Sequence, residues 1–157
     1  MLPRRFRANL GLTIFGLTKI PMLFYARPSV VAIDDHHIIV KIPLRRRTRN
    51  HLGSMYFGAL AVGADCAGGF LAMELIQRAG VPVSLVFKDI QGTFLKRPDG
   101  DVHFTCHDGD KIKALVASVV KSEERQNLPV NITATVPAVG PERVAQFTLT
   151  LSLKKKS

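Results

Sequence analysis

A chain of 157 residues, 46% hydrophobic and 22% charged, suits one folded domain with a real core and leaves a second domain undersized. Its formal net charge of +10 calls for anionic partners, whether a phosphorylated small molecule, an acidic membrane surface or nucleic acid. Two cysteines, Cys66 and Cys106, with no CxxC and no His at ligand spacing, exclude a disulfide framework and a metal site, and fit a reducing cytoplasm.

Residues 3 to 20 alternate basic and apolar at helical spacing and stop before Pro21. Arg4, Arg5 and Arg7 ahead of an apolar segment imitate a secretory signal, but no small-residue cleavage site follows, so the reading is an amphipathic helix packed on the domain. No apolar run reaches the roughly 18 to 20 residues that cross a bilayer; the nearest, Leu10 to Tyr25, is interrupted by Lys19 and Pro21. No transmembrane span is read. "HHIIVKIPL", 36 to 44, is rich in β-branched residues and predicts a strand. Gly53 and Ser54 open a long apolar helix that runs to about Arg78 and is stopped by Ala79-Gly80-Val81-Pro82.

"VSLVFKDIQGTFLKRP" and "DVHFTCH" are strand-like and separated by a Pro98-Asp99-Gly100 turn. "DGDKIKALVASVVKSEE" predicts a second helix, opening on acids and carrying an apolar stripe. "NITATVPAV" and "RVAQFTLTLSL", joined around Gly140-Pro141, predict a terminal hairpin. His36-His37 and His103 with His107 read as strand-face residues, with no metal and no cofactor called for. The basic clusters are scattered, there is no Trp and there are only two Tyr, so no stacking platform and no nucleic-acid partner is expected. A helix that is apolar nearly all round must be buried nearly all round, which predicts an α+β domain with an antiparallel sheet curled about it.

One acid sits early in that helix. On a wheel of about 100° per residue, Asp65 shares its stripe with Gly58, Ala61, Gly68, Gly69 and Ala72, all small. Helical glycine costs roughly 0.5 to 1 kcal/mol relative to alanine, so this face is kept clear for something that approaches closely: a strand, a partner subunit or a thin ligand chain. A carboxylate in such surroundings has a raised pKa, which is also how a general base is tuned. The plainer alternative is a structural acid, satisfied by an amide or an arginine from elsewhere.

The run Asn50, Gly53, Gly58 and Asp65 resembles the pattern of small hotdog-fold acyl-CoA thioesterases of the phenylacetate-pathway type, and "NHLGSMYFGAL" looks closer still to an uncharacterised bacterial branch of that superfamily. The resemblance covers about residues 36 to 153 as the hotdog core of a single domain 1 to 157, with residues 1 to 25 as an N-terminal helical extension. It implies a homo-oligomer, dimer or tetramer, acting on acyl-CoA or another acyl thioester. Asp65 would be the general base or nucleophile, the Gly58 amide the oxyanion donor, and Asn50 a positioner of water or carbonyl. His51, Gly53, Ser54 and Phe57 would line the substrate. Arg45, Arg46, Arg47 and Arg49, just before the helix start, would meet the coenzyme phosphates. Where the family has His and Gly, this chain has Tyr56 and Phe57. A phenol with a pKa of about 10 donates a hydrogen bond but does not exchange protons at neutral pH. The alternative function is therefore a non-catalytic acyl-CoA or fatty-acyl binding protein on the same fold.

Overall fold

The structure, a computed structural model that describes residues 1–157, opens with helix α1 (Arg4–Thr18) and a short α2 (Pro21–Ala26) that begins on the proline, where no backbone N–H is needed. Pro28 disfavours a right-handed helical conformation at Arg27, which takes φ 58 and ends α2. β1 (Ser29–Ile33) and β2 (Ile38–Ile42) follow as a hairpin. Its turn is tied by Asp34, whose Oδ1 accepts the amides of His36 and His37 at 2.7 and 2.8 Å. The long helix α3 (Phe57–Ala79) ends at Gly80, whose φ of 68 suits a residue without a Cβ. Then come β3 (Val83–Phe94), β4 (Val102–Cys106), α4 (Gly109–Val119), β5 (Gln126–Thr135) and β6 (Arg143–Lys155).

The six strands form one antiparallel sheet in the order β1-β2-β4-β5-β6-β3. It curves about α3, as the helix's composition predicts. Twelve residues of α3 are buried. A methyl group at Gly63 would collide with the Phe104 ring on β4, and Gly68 lies against Val130 and Ile132 on β5. Small residues on α3 thus let the sheet's large ones close on it, which is the packing gain that offsets helical glycine. α4 lays Ile112, Val116 and Val119 on α3 and β5.

At the far edge, α1 seals β1. Asn9 acts as a piece of strand: its Nδ2 donates to the Val30 carbonyl at 3.0 Å and its Oδ1 accepts the Val30 amide at 2.7 Å. Arg4 fastens the start of α1 to the end of α3 and to the β1-β2 turn, through Glu74 and Asp35.

Several expectations are corrected. β1 and α2 are additional elements. The two strands separated by Pro98-Asp99-Gly100 are not neighbours: β3 is an outer strand beside β6, β4 is central, and the linker is tied to the loop before α3, where the Pro98 carbonyl accepts the Met55 amide at 3.0 Å. α3 starts at Phe57 rather than at Gly53, because residues 50 to 54 close a turn of their own. His36 and His37 occupy a turn, and only His103 lies on a strand, while His107 follows one and stacks on His37. Finally, α3 itself is long and apolar enough to cross a membrane by length and composition, which counting uninterrupted runs misses, and here it forms the core under the sheet.

Candidate functional site

The site grows from the loop that leads into α3. Thr48 is buried, and its hydroxyl donates to the Pro43 carbonyl at 2.6 Å while accepting the Arg45 amide at 2.9 Å. A threonine inside an arginine run folds that run into a tight turn, and its carbonyl then receives the Tyr56 amide at 2.8 Å. Asn50 closes the next turn. Its Oδ1 accepts the Leu52 amide at 2.9 Å, its Nδ2 donates to Ser54 Oγ at 3.3 Å, and Gly53 adopts φ 84. The Asn50 carboxamide is thus committed to its own turn. His51, Leu52 and Gly53 are exposed, and Ser54 is buried beneath them.

Tyr56 is the extended residue at which α3 begins. The first amides inside the helix, Phe57 and Gly58, donate to no group of the chain, whereas Ala59 and Leu60 both donate to the Tyr56 carbonyl. Unpaired N–H groups at the positive end of a 23-residue helix are a place for developing negative charge. The Tyr56 ring lies over Gly58, so close that a side chain at 58 would collide with it, and it packs at 4.8 Å on Phe57. Both rings are largely exposed.

Asp65 lies two turns further on, on the same face as Gly58 because seven residues nearly complete two turns. It makes no hydrogen bond and no salt bridge within the chain, unlike the neighbouring helical acid Glu74. Burial alone pushes its carboxyl up to about 6. Its side chain helps to wall a cavity of about 580 Å³ between α1 and α2, α3 and β3, whose other walls include Leu12, Phe15, Leu23, Phe70, Met73 and Phe87. The Phe87 ring stands 3.3 Å from where a Cβ at Gly69 would lie, so the small-residue face next to Asp65 is in part filled by β3. Cys66, beside Asp65, is no rival nucleophile, since burial holds its thiol far above the usual range.

A second concavity, about 830 Å³ and open, is lined by Arg45, Arg46 and Arg47 together with Tyr25 and Arg27. The Arg47 guanidinium stacks 4.9 Å above the Tyr25 ring and donates to the Tyr25 carbonyl. None of these four arginines pairs with a carboxylate. Arg49 is exposed on the other side of the turn, bridged to Met55, and does not line this concavity. Sequence reasoning missed Arg27 and the α1 wall of the apolar cavity. The available signal is the apolar inner stripe of α1, formed by Ala8, Leu12 and Gly16.

A curved antiparallel sheet wrapped on a buried central helix defines the hotdog fold, and solved structures confirm it along nearly the whole chain. A protein of unknown function from Chlorobaculum tepidum is 13% identical with 97% of each chain covered and a TM-score of 0.83. A protein of unknown function from Pseudomonas aeruginosa, described as a probable thioesterase, is 20% identical, covering 99% of this chain and 97% of that one with a TM-score of 0.78. A thioesterase from Haemophilus influenzae is 14% identical, covering 99% and 93% with a TM-score of 0.70. Residues 12–152 match the family described as a domain of unknown function, DUF4442, and the chain belongs to that family. No curated protein matches it in sequence.

Proposed function

We propose that this protein hydrolyses acyl-CoA or a related acyl thioester, with Asp65 as general base. The observation that carries the reading is a carboxylate without a partner in the wall of a largely apolar cavity of about 580 Å³. A structural acid would have found an amide or an arginine. The names of two fold neighbours, a thioesterase and a probable thioesterase, point the same way.

Gly58 and Asp65 stand about 10 Å apart along the helix axis, a span that matches a water molecule and a carbonyl group placed in line. It favours attack by water over direct attack by the carboxylate. Asp65 takes a proton from the water, whose oxygen bonds to the thioester carbon; the carbonyl oxygen becomes an oxyanion held by the Gly58 amide. The intermediate collapses with loss of the C–S bond, and the proton on Asp65 passes to the departing thiolate, so acid and free thiol leave. Tyr56 offers its hydroxyl as a donor at the helix start. Asn50 acts as a positioning residue through its turn, with His51, Gly53 and Phe57 on the coenzyme side and Ser54 supporting the turn from beneath. Arg45, Arg46 and Arg47 take the coenzyme phosphates, joined by Arg27.

The assembly belongs to the same reading. β3 is an outer strand with one edge unpaired and with Val86, Ile90 and Phe94 about half exposed, so pairing of two copies along it, as a dimer or within a tetramer, would cover that edge. The second reading is a non-catalytic acyl-CoA or fatty-acyl binding protein, favoured by Tyr56 standing where a histidine is expected. A hydrolysis screen of acyl-CoA from short to long chains, with Asp65→Asn alongside, separates the two. Turnover that disappears with Asp65 supports the hydrolase, and tight binding with no turnover at any length supports the binder.

A further inference from the structure

Helix α1 has two apolar faces. The inner one, Ala8, Leu12 and Gly16, is buried on the domain. The outer one carries Phe6, Leu10, Ile14 and Leu17, exposed at 54%, 51%, 51% and 54%. Their spacing of four, four and three keeps them in one stripe for about 16 Å. Nothing in the chain packs on this stripe, and its length and continuity set it apart from singly exposed apolar side chains.

Charge identifies the occupant. Residues 1 to 33 hold Arg4, Arg5, Arg7, Lys19 and Arg27 and not one acid. Only Arg4 is neutralised, by Glu74 and Asp35; Arg5, Arg7, Lys19 and Arg27 make no ion pair. On the helical wheel Arg7 borders the apolar stripe, about 20° beyond Ile14, while Arg5 stands exposed in the first turn above the inner face. Two copies meeting through this surface would set like charges against like. A bare polyanion would leave four large apolar side chains without a partner. An apolar stripe bordered by an arginine, on a segment that has cations and no acids, fits a surface that is itself apolar beneath and anionic on top.

We infer that the outer face of α1 lies flat on a bilayer containing anionic lipid, with Phe6, Leu10, Ile14 and Leu17 entering the boundary of headgroups and acyl chains, Arg7 held at the phosphates and Arg5 adding its unpaired charge at the helix start. The inference rests on α1 alone and holds whether or not Asp65 hydrolyses thioesters. It gives the helix a double role, since its inner side chains Leu12 and Phe15 wall the apolar cavity.

The test is sedimentation of the full chain with sucrose-loaded vesicles of phosphatidylcholine alone or with about one-third phosphatidylglycerol. The expected result is binding at least about tenfold stronger to the anionic vesicles, weakened by salt. Leu10→Glu with Ile14→Glu should reduce it about tenfold or more while leaving the melting temperature unchanged, because both side chains face solvent. Arg5→Gln with Arg7→Gln should reduce it too and provides a variant of unaltered apolar surface. No binding to anionic vesicles overturns the inference, as does equal binding to both kinds or binding indifferent to the Leu10 and Ile14 changes. A fall in mass of the Leu10 and Ile14 variant by light scattering, with the unaltered protein ignoring vesicles, would assign the stripe to contact between copies and overturn it as well. Hydrolysis of a water-soluble short acyl thioester, measured without vesicles, reports separately on Asp65.

Discussion

The Arg4 guanidinium forks onto Glu74, with Nε 3.2 Å from Oε1 and Nη2 3.1 Å from Oε2, and spends its remaining nitrogen on Asp35 at 2.7 Å. One side chain thereby ties the start of α1 to the end of α3, the two helices whose inner residues wall the apolar cavity. Arg4→Met keeps the stem and removes the fork. It should cost about 2 kcal/mol of stability, since these are charge-assisted hydrogen bonds at a half-buried site. If the cavity holds the acyl chain, KM for long acyl thioesters should rise while short ones are spared. Thermal melts and a chain-length series measured together check both.

Asp65→Asn should reduce turnover roughly 100-fold or more, the usual scale for losing a general base. It should also make the protein more stable at pH 8. A carboxyl raised to about 6 by burial is an ionised group held where its charge is unwelcome, and a neutral amide relieves that by on the order of 2 to 3 kcal/mol, or roughly 5 to 10 °C in melting. A structural acid predicts the opposite sign, with unaltered rate and lowered stability. Steady-state rates beside calorimetric melts decide between them.

The same group sets a pH dependence. Because the folded state binds the Asp65 proton more tightly than the unfolded state, this group's contribution to stability is most favourable below the ordinary carboxylate range and falls as pH rises from about 4 to about 6. Activity runs the other way, because the base must be ionised, so kcat/KM should climb through about 6 and level off above 7. Stability and rate moving in opposite directions across one window is the signature to look for. An Asp65→Asn protein whose melting temperature keeps the same slope between pH 4 and 6 would refute the assignment of that slope.

Arg45, Arg46 and Arg47, replaced together by Gln, should raise the acyl-CoA dissociation constant by tenfold or more and flatten its dependence on salt. Binding of an acyl-pantetheine, which has no nucleotide, should be unchanged. Isothermal titration with the two ligands at two salt concentrations tests the difference. Equal loss for both would make the turn a folding element.

Much of this architecture is legible in the chain because it is written in local patterns. The apolar sweep of α3 with its stop at Gly80-Val81-Pro82, the β-branched run of β2 and the final hairpin all follow from periodicity and breakers. β1 and α2 escaped notice because they have five and six residues, between prolines and an Asp-Asp turn, too few to show a period. The separation of β3 from β4 is set by pairings with β6 and with β2 and β5, which no nearby residue announces. At the site, Asp65 could be singled out because its neighbours are small. The commitment of Asn50 to its own turn and the anchoring by Thr48 depend on hydrogen bonds whose partners are fixed only once the loop folds. The cavity's outer wall comes from a helix some fifty residues away in sequence.

Asn9 has one more effect. By taking both the amide and the carbonyl of Val30, it stoppers one margin of the sheet and leaves reactive valence at the other, along β3. A unit with two sticky margins is bifunctional and grows into fibres, as condensation monomers do. A unit with one is a chain terminator: it joins a single mate and the reaction is over. Under the pairing proposed along β3, removing the stopper, as in Asn9→Ala, would turn a self-limiting partner into a potential link.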